Sequence, residues 1–134
     1  MFELSFYPNN LKEAVETLIT FFENEIELVK SMQEEDFIAD SHHNGGKFIR
    51  NTWNLWWYEG HRFEDWPKEK PNLVSFFNDL GIVHADDISG IILTCFYREL
   101  KNYPYNLEQQ VEMYKDHWKT EGYKDGIFKR GGMN

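Results

Sequence analysis

Between Ala85 and Leu100 the chain is apolar around most of a helical circumference. Ile88, Ile91, Ile92, Cys95, Phe96 and Leu100 follow one another in steps that return to the same helical faces every turn. Asp86 and Asp87 precede them, where carboxylates complement the positive end of the helix dipole and accept free backbone N–H groups. A helix this apolar belongs in the middle of a fold, covered by other helices. The chain is therefore read as mainly α, with this segment as its axis.

The remaining pattern supplies the covering helices. Asn10 is placed to cap a helix, with Glu13 three residues on completing a capping box. Leu11, Ala14, Val15, Leu18, Ile19 and Phe22 then form one stripe, resumed by Ile26, Val29 and Met32, with a break expected at Asn24. Glu34, Glu35 and Asp36 open a further helix that runs to about Trp53 through Phe48, Ile49 and Thr52. Its weak point is Gly45-Gly46, since glycine costs about 1 kcal/mol against alanine in a helix interior. Residues Trp56 to Asn72 read as a long aromatic loop broken by Pro67 and Pro71. Asn72 to Leu80 makes a short helix stopped by Gly81 in the left-handed position. After a turn at Asn102–Asn106, Asn106 and Gln109 cap a last helix with the stripe Leu107, Val111, Tyr114 and Trp118. No segment alternates as a strand does. The expected architecture is a compact single-domain helical bundle of five or six helices spanning residues 1–134, with the tail from Gly122 to Asn134 loosely attached.

At 134 residues such a domain builds a sufficient core without metals or disulfides. The lone Cys95 excludes an internal disulfide, and its apolar setting points to a buried, inert thiol. The N-terminus lacks the basic and apolar regions of a secretory leader. The longest uncharged stretch, Ile88 to Tyr97, is about half what crosses a bilayer. The expected location is the cytoplasm.

Charge narrows the partners. The net charge is -9, and residues 1–40 hold -8 of it, with ten acids against two bases. Nucleic acid is a poor partner for such a chain, because binding it takes clustered Lys and Arg. A basic protein is a natural one, since a one-signed field steers its complement. Glu23, Glu25, Glu27, Glu34, Glu35, Asp36 and Asp40 are the acids closest together in sequence and the candidates for that contact. An acidic surface that only confers solubility is the competing reading.

Catalytic or cofactor signatures are sparse. His42, His43, His61, His84 and His117 lack the spacing of a zinc site, and His42 and His43 are expected on different sides of a helix; no metal or cofactor is expected. Asp86-Asp87 beside His84 is the best carboxylate cluster, read either as an ordinary helix N-terminus or as an acid/base site. Arg50 and Arg98 are expected to pair with these aspartates across the core. No phosphate-cradling loop, nucleophile elbow or dinucleotide fingerprint occurs. The aromatic loop is the other feature: Trp53 and Trp56 are assigned to the core, and Trp57, Tyr58 and Trp66 to an exposed, partner-binding side, since interface hot spots favour Trp and Tyr.

Two segments carry a resemblance. Phe48-Ile49-Arg50-Asn51-Thr52-Trp53-Asn54-Leu55-Trp56, and the stretch from Phe76-Phe77-Asn78-Asp79-Leu80-Gly81 through His84-Ala85-Asp86-Asp87 to Thr94, resemble a family of small bacterial domains of unknown function. The resemblance extends more weakly into Leu107–Trp118. Some similar proteins look like immunity proteins of contact-dependent growth inhibition and related polymorphic-toxin systems. That resemblance implies a non-enzymatic cytoplasmic protein that neutralises a nuclease toxin, EndoU-type RNases being one such class. Two other readings stand beside it: a structural or regulatory protein-interaction module without a toxin partner, and a hydrolase built on His84, Asp86 and Asp87.

Overall fold

A computed structural model describes residues 7–57 and 67–120. Among the described residues the elements are helical and there is no strand: α1 (Leu11–Phe21), a 3-10 turn (Glu23–Glu25), α2 (Ile26–Ser31), α3 (Glu34–Ser41), a π turn (His42–Gly46), α4 (Lys47–Thr52), α5 (Asn72–Asp79), α6 (Ala85–Lys101) and α7 (Leu107–Thr120). The backbone stays right-handed helical from Ser41 through Lys47, so α3, the π turn and α4 form one rod and the described residues make six helices.

α6 is the axis. Ile88, Ile91, Ile92, Cys95 and Phe96 are completely buried, and α1, α2, α3, α4 and α7 all pack against this helix. Leu73, Val74 and Phe77 of α5 join the same core. Phe22, Phe37 and Phe96 form a three-ring cluster, with Phe22 6.5 and 5.0 Å from the other two and those two 5.9 Å apart, and Phe37 stacks on Tyr97. These rings lock the end of α1 and the start of the α3–α4 rod onto α6.

The ends of the helices follow local chemistry. Asn10 Oδ1 accepts the Glu13 N–H at 3.0 Å, while Glu13 reaches back to the Asn9 N–H instead of the Asn10 N–H. The expected break at Asn24 is the 3-10 turn. Gly81 holds φ +91; its N–H bonds to the Asn78 carbonyl and that of Ile82 to the Phe77 carbonyl, the paired closure of a helix ended by a left-handed residue. The capping box expected at Asn106 does not form. Asn106 holds φ +51 instead of the extended backbone a capping residue uses.

The predicted weak point at the glycines is the π turn, which leaves the helix unbroken. A Cβ on Gly46 would lie 2.8 Å from an Arg50 guanidinium nitrogen and 3.1 Å from the Ser41 carbonyl oxygen, so glycine here serves the close passage of Arg50. His42 and His43 do not point apart, as a regular helix would require; their rings meet edge-on at 4.8 Å across the widened turn.

Candidate functional site

Two regions compete for a functional role, and the first is the N-terminus of α6. The sequence pattern puts Asp86 and Asp87 there as caps, but His84 does the capping: its Nδ1 accepts the Asp86 N–H at 3.1 Å. That frees both carboxylates for long-range partners. Asp86 faces the buried Arg50, Nε to Oδ1 3.3 Å. Arg50 also donates to Ser89 Oγ and to the His42 carbonyl, each at 2.9 Å, so one guanidinium ties α4, the π turn and α6 together. Asp87 accepts the indole N–H of Trp118 from α7 at 2.6 Å. Burial raises the Asp87 pKa above its ordinary value, against the opposing pull of that indole bond.

The same cluster has aromatic walls. The His84 ring lies against Trp118, 5.4 Å between centroids and nearly parallel, and meets Trp56 edge-on at 5.7 Å. Chemically this is a clasp. The hydroxyl it contains, Ser89, is completely buried and bonded to Arg50 and to the Asp86 carbonyl. Burial pushes the Cys95 thiol up to about 11, well above the range of a reactive thiolate. Among the described residues no group of three or more His, Cys, Asp or Glu is placed to hold a metal ion. A groove of about 390 Å³ lies between α1 and the end of α6, floored by Leu11, Val15, Ile19 and Tyr105; its rim acids are engaged, Glu16 by Lys12 and Glu99 by the Tyr105 hydroxyl.

The second region is the acidic surface. Glu23, Glu25, Glu27, Glu35, Asp36 and Asp40 are exposed, and among the described residues none has a cation within ion-pair distance. Glu34 differs. Arg98 donates to both its carboxylate oxygens at 2.9 Å, so Arg98 does not pair with the α6 aspartates as expected. The bidentate geometry pins the start of α3 to the last turn of α6 and removes Glu34 from the free acidic set.

The aromatic assignments need revision. Trp53 is buried, as expected, but Trp56 is 44% exposed. A tight turn after α4 rotates it outward, with Asn54 at φ +54 and Leu55 turned into the core in its place. Trp57, assigned to the exposed side, is half-buried and donates its indole N–H to the Pro67 carbonyl at 2.8 Å. Tyr58 and Trp66 lie outside the described residues, as does the tail from Gly122. Sequence reasoning missed a different aromatic pair. Phe21 and Phe48 stack face to face, centroids 5.3 Å and interplanar angle 11°, while remaining 36% and 41% exposed. The helical period groups Phe48 with Ile49 as core-facing, and only Ile49 is.

The chain belongs to a family described as a domain of unknown function, DUF6794, which matches residues 7–100. The matched region contains the acidic surface, the Phe21–Phe48 pair and the Arg50–Asp86 link, and it stops before α7. No curated protein and no solved structure matches the chain. No described helix is long and apolar enough to cross a membrane.

Proposed function

We propose that this chain is an immunity protein that neutralises a basic nuclease toxin in the cytoplasm by covering its cationic, RNA-facing surface. The observation that carries the reading is the state of the acids on the 3-10 turn, α2 and α3. Six exposed carboxylates stand together in sequence and, among the described residues, have no cation within ion-pair distance, while Arg98 and Arg50 are committed to Glu34 and Asp86. Uncompensated charge of one sign destabilises a fold by self-repulsion and accelerates association with a complementary partner. The α6 cluster supports the same conclusion by contrast, because its polar groups are committed to joining helices. The resemblance to immunity proteins supplies the class of partner, and EndoU-type RNases are the first to try.

The test is co-expression with candidate nuclease toxin domains, EndoU-type RNases first. Growth arrest relieved by the chain, with stoichiometric inhibition of RNA cleavage by the purified pair, supports the proposal. Continued arrest with both proteins present at comparable levels overturns it.

A further inference from the structure

α7 is held to α6 differently from the other helices that cover it. α1 buries Leu11, Ala14, Val15 and Leu18, whereas the buried residues of the longer α7 are Gln110 and Val111. The contact of α7 with α6 is carried instead by a row of polar-headed side chains spaced four apart. Gln110 Nε2 donates to the Tyr105 carbonyl at 2.9 Å and lies 3.5 Å from the Cys95 sulfur. The Tyr114 hydroxyl lies 2.7 Å from where a Gly90 Cβ would stand, and the Trp118 indole donates to Asp87. Hydrogen bonds of this kind add little net stability, because opening returns both partners to water. For Asp87 the return to water is itself favourable, since burial disfavours its anion. Beside the row, an open cleft of about 300 Å³ lies between α7 and Leu80, just after α5, with Leu107 and Val111 in its wall. That flank of α7 is not sealed against the bundle.

The chain also has a defined pivot. Arg98 holds Glu34 with one side of its guanidinium and donates to the Tyr105 carbonyl at 2.6 Å, so the backbone is tied to the bundle as far as Tyr105. The next residue, Asn106, is exposed and holds φ +51, a conformation that asparagine tolerates better than most residues, and α7 begins directly after it. The family match ends at residue 100, so the shared unit is α1 to α6 and α7 lies outside it. Segments with few buried apolar side chains and mainly polar links to the core open at lower free energy than the domain as a whole.

We propose that α7 is a strap that leaves α6 as a unit, pivoting at Asn106 while α1 to α6 stay folded, and thereby bares the Asp87–Gly90–Cys95 face of α6. The inference does not depend on the basic-partner function.

Cys95 reports this motion. It is the chain's one thiol and is completely buried, with Gln110 of α7 against its sulfur. A small disulfide reagent therefore reaches it through an opening, at a rate set by the population of the open form when closing is fast. Modification of the full chain without denaturant is compared in the wild type, Val111→Ala, Trp118→Phe and Phe37→Leu, and the global stability of each is measured by urea unfolding. Val111→Ala removes buried carbons from α7 and should speed modification about tenfold. Trp118→Phe keeps a ring, removes the bond to Asp87 and should speed it about fivefold. Phe37→Leu weakens the cluster with Phe22 and Phe96, which stays intact in the open form. It should lower global stability yet leave the modification rate within about twofold. Acceleration in Phe37→Leu in step with its loss of global stability would mean that the thiol is reached only when the whole domain unfolds. An unchanged rate in Val111→Ala would mean that some other movement bares it. Either result overturns the strap.

Discussion

Gly90 lies in the middle of α6, completely enclosed, with Tyr114 of α7 above it. A Cβ at this position would stand 2.7 Å from the Tyr114 hydroxyl oxygen and 3.7 Å from the ring carbon that bears it. Two effects of opposite sign therefore meet in Gly90→Ala. Replacing a helix-interior glycine gains about 0.5–1 kcal/mol from reduced backbone entropy in the unfolded chain. Forcing a methyl into a filled site costs about 1–3 kcal/mol. The contact below 3 Å makes the steric effect the larger, and the expected net loss is about 1 kcal/mol. Tyr114→Phe separates the two, because it removes the clashing oxygen and leaves an ordinary contact at 3.7 Å. Among the described residues that hydroxyl has no hydrogen-bond partner, so the single change should be nearly neutral. Combined with Tyr114→Phe, Gly90→Ala should become stabilising by up to about 1 kcal/mol. The coupling between the sites is then about 1–2 kcal/mol, within the range typical of touching residues. Urea unfolding of the wild type, both single variants and the double variant measures it directly. If Gly90→Ala has the same effect with and without the hydroxyl, α7 does not sit over Gly90.

Three further outcomes follow from the same geometry. Ile92→Ala removes completely buried carbons from the axis and should cost about 2–5 kcal/mol; a loss below about 1 kcal/mol in denaturant would show that α6 is not central. The Asp87 pKa is raised by burial, so the native state holds its proton to higher pH than the unfolded chain does. Its contribution to stability is then full below the ordinary carboxylate value and declines as pH rises through the raised one. Asp87→Asn should flatten that decline and match or exceed the wild-type melting temperature at neutral pH; a lower melting temperature there would mean that the anion is net favourable. Under the proposed function, changing Glu23, Glu25 and Glu27 to Lys together should slow association with the nuclease partner by tenfold or more without altering dissociation or helicity, and added salt should shrink the difference. Unchanged surface plasmon resonance traces would reduce these acids to a solvated face.

What sequence makes legible is local. The burial of α6 follows from its own periodicity, the stop at Gly81 from one residue's freedom at positive φ, and the break at Asn24 from polarity interrupting a stripe. The exposed acids could be read as well, since two bases in forty residues cannot neutralise ten acids. Pairings across the fold could not. Arg98 meets Glu34 across 64 positions and Trp118 meets Asp87 across 31, and no short-range pattern separates these from the Arg98–aspartate pairing first expected. The Phe48 error has a geometric cause. Phe48, Ile49 and Arg50 are consecutive, so a helix must send them in different directions, and a hydrophobic stripe counts the first two alike. Packing turned Ile49 and Arg50 inward and left Phe48 out.

That division of one helical turn separates the buried scaffold from the exposed face. Segments 48–56 and 76–94, which carry the resemblance, meet where Arg50 joins Ser89 and Asp86. Gly46 leaves room for the guanidinium, and the π turn presents the His42 carbonyl to it. Each of these features fixes the α3–α4 rod on the axis, so their first consequence is architectural. A second consequence is indirect: fixing the rod fixes Phe48, which stacks on Phe21 just before the 3-10 turn that carries Glu23 and Glu25. A buried arginine thus holds the α3–α4 rod, and with it Phe48, in a fixed position on the axis. Under the proposed function, the buried residues that carry the resemblance hold the acid-bearing helices in shape from the inside, and the exposed acids beside them would meet the partner.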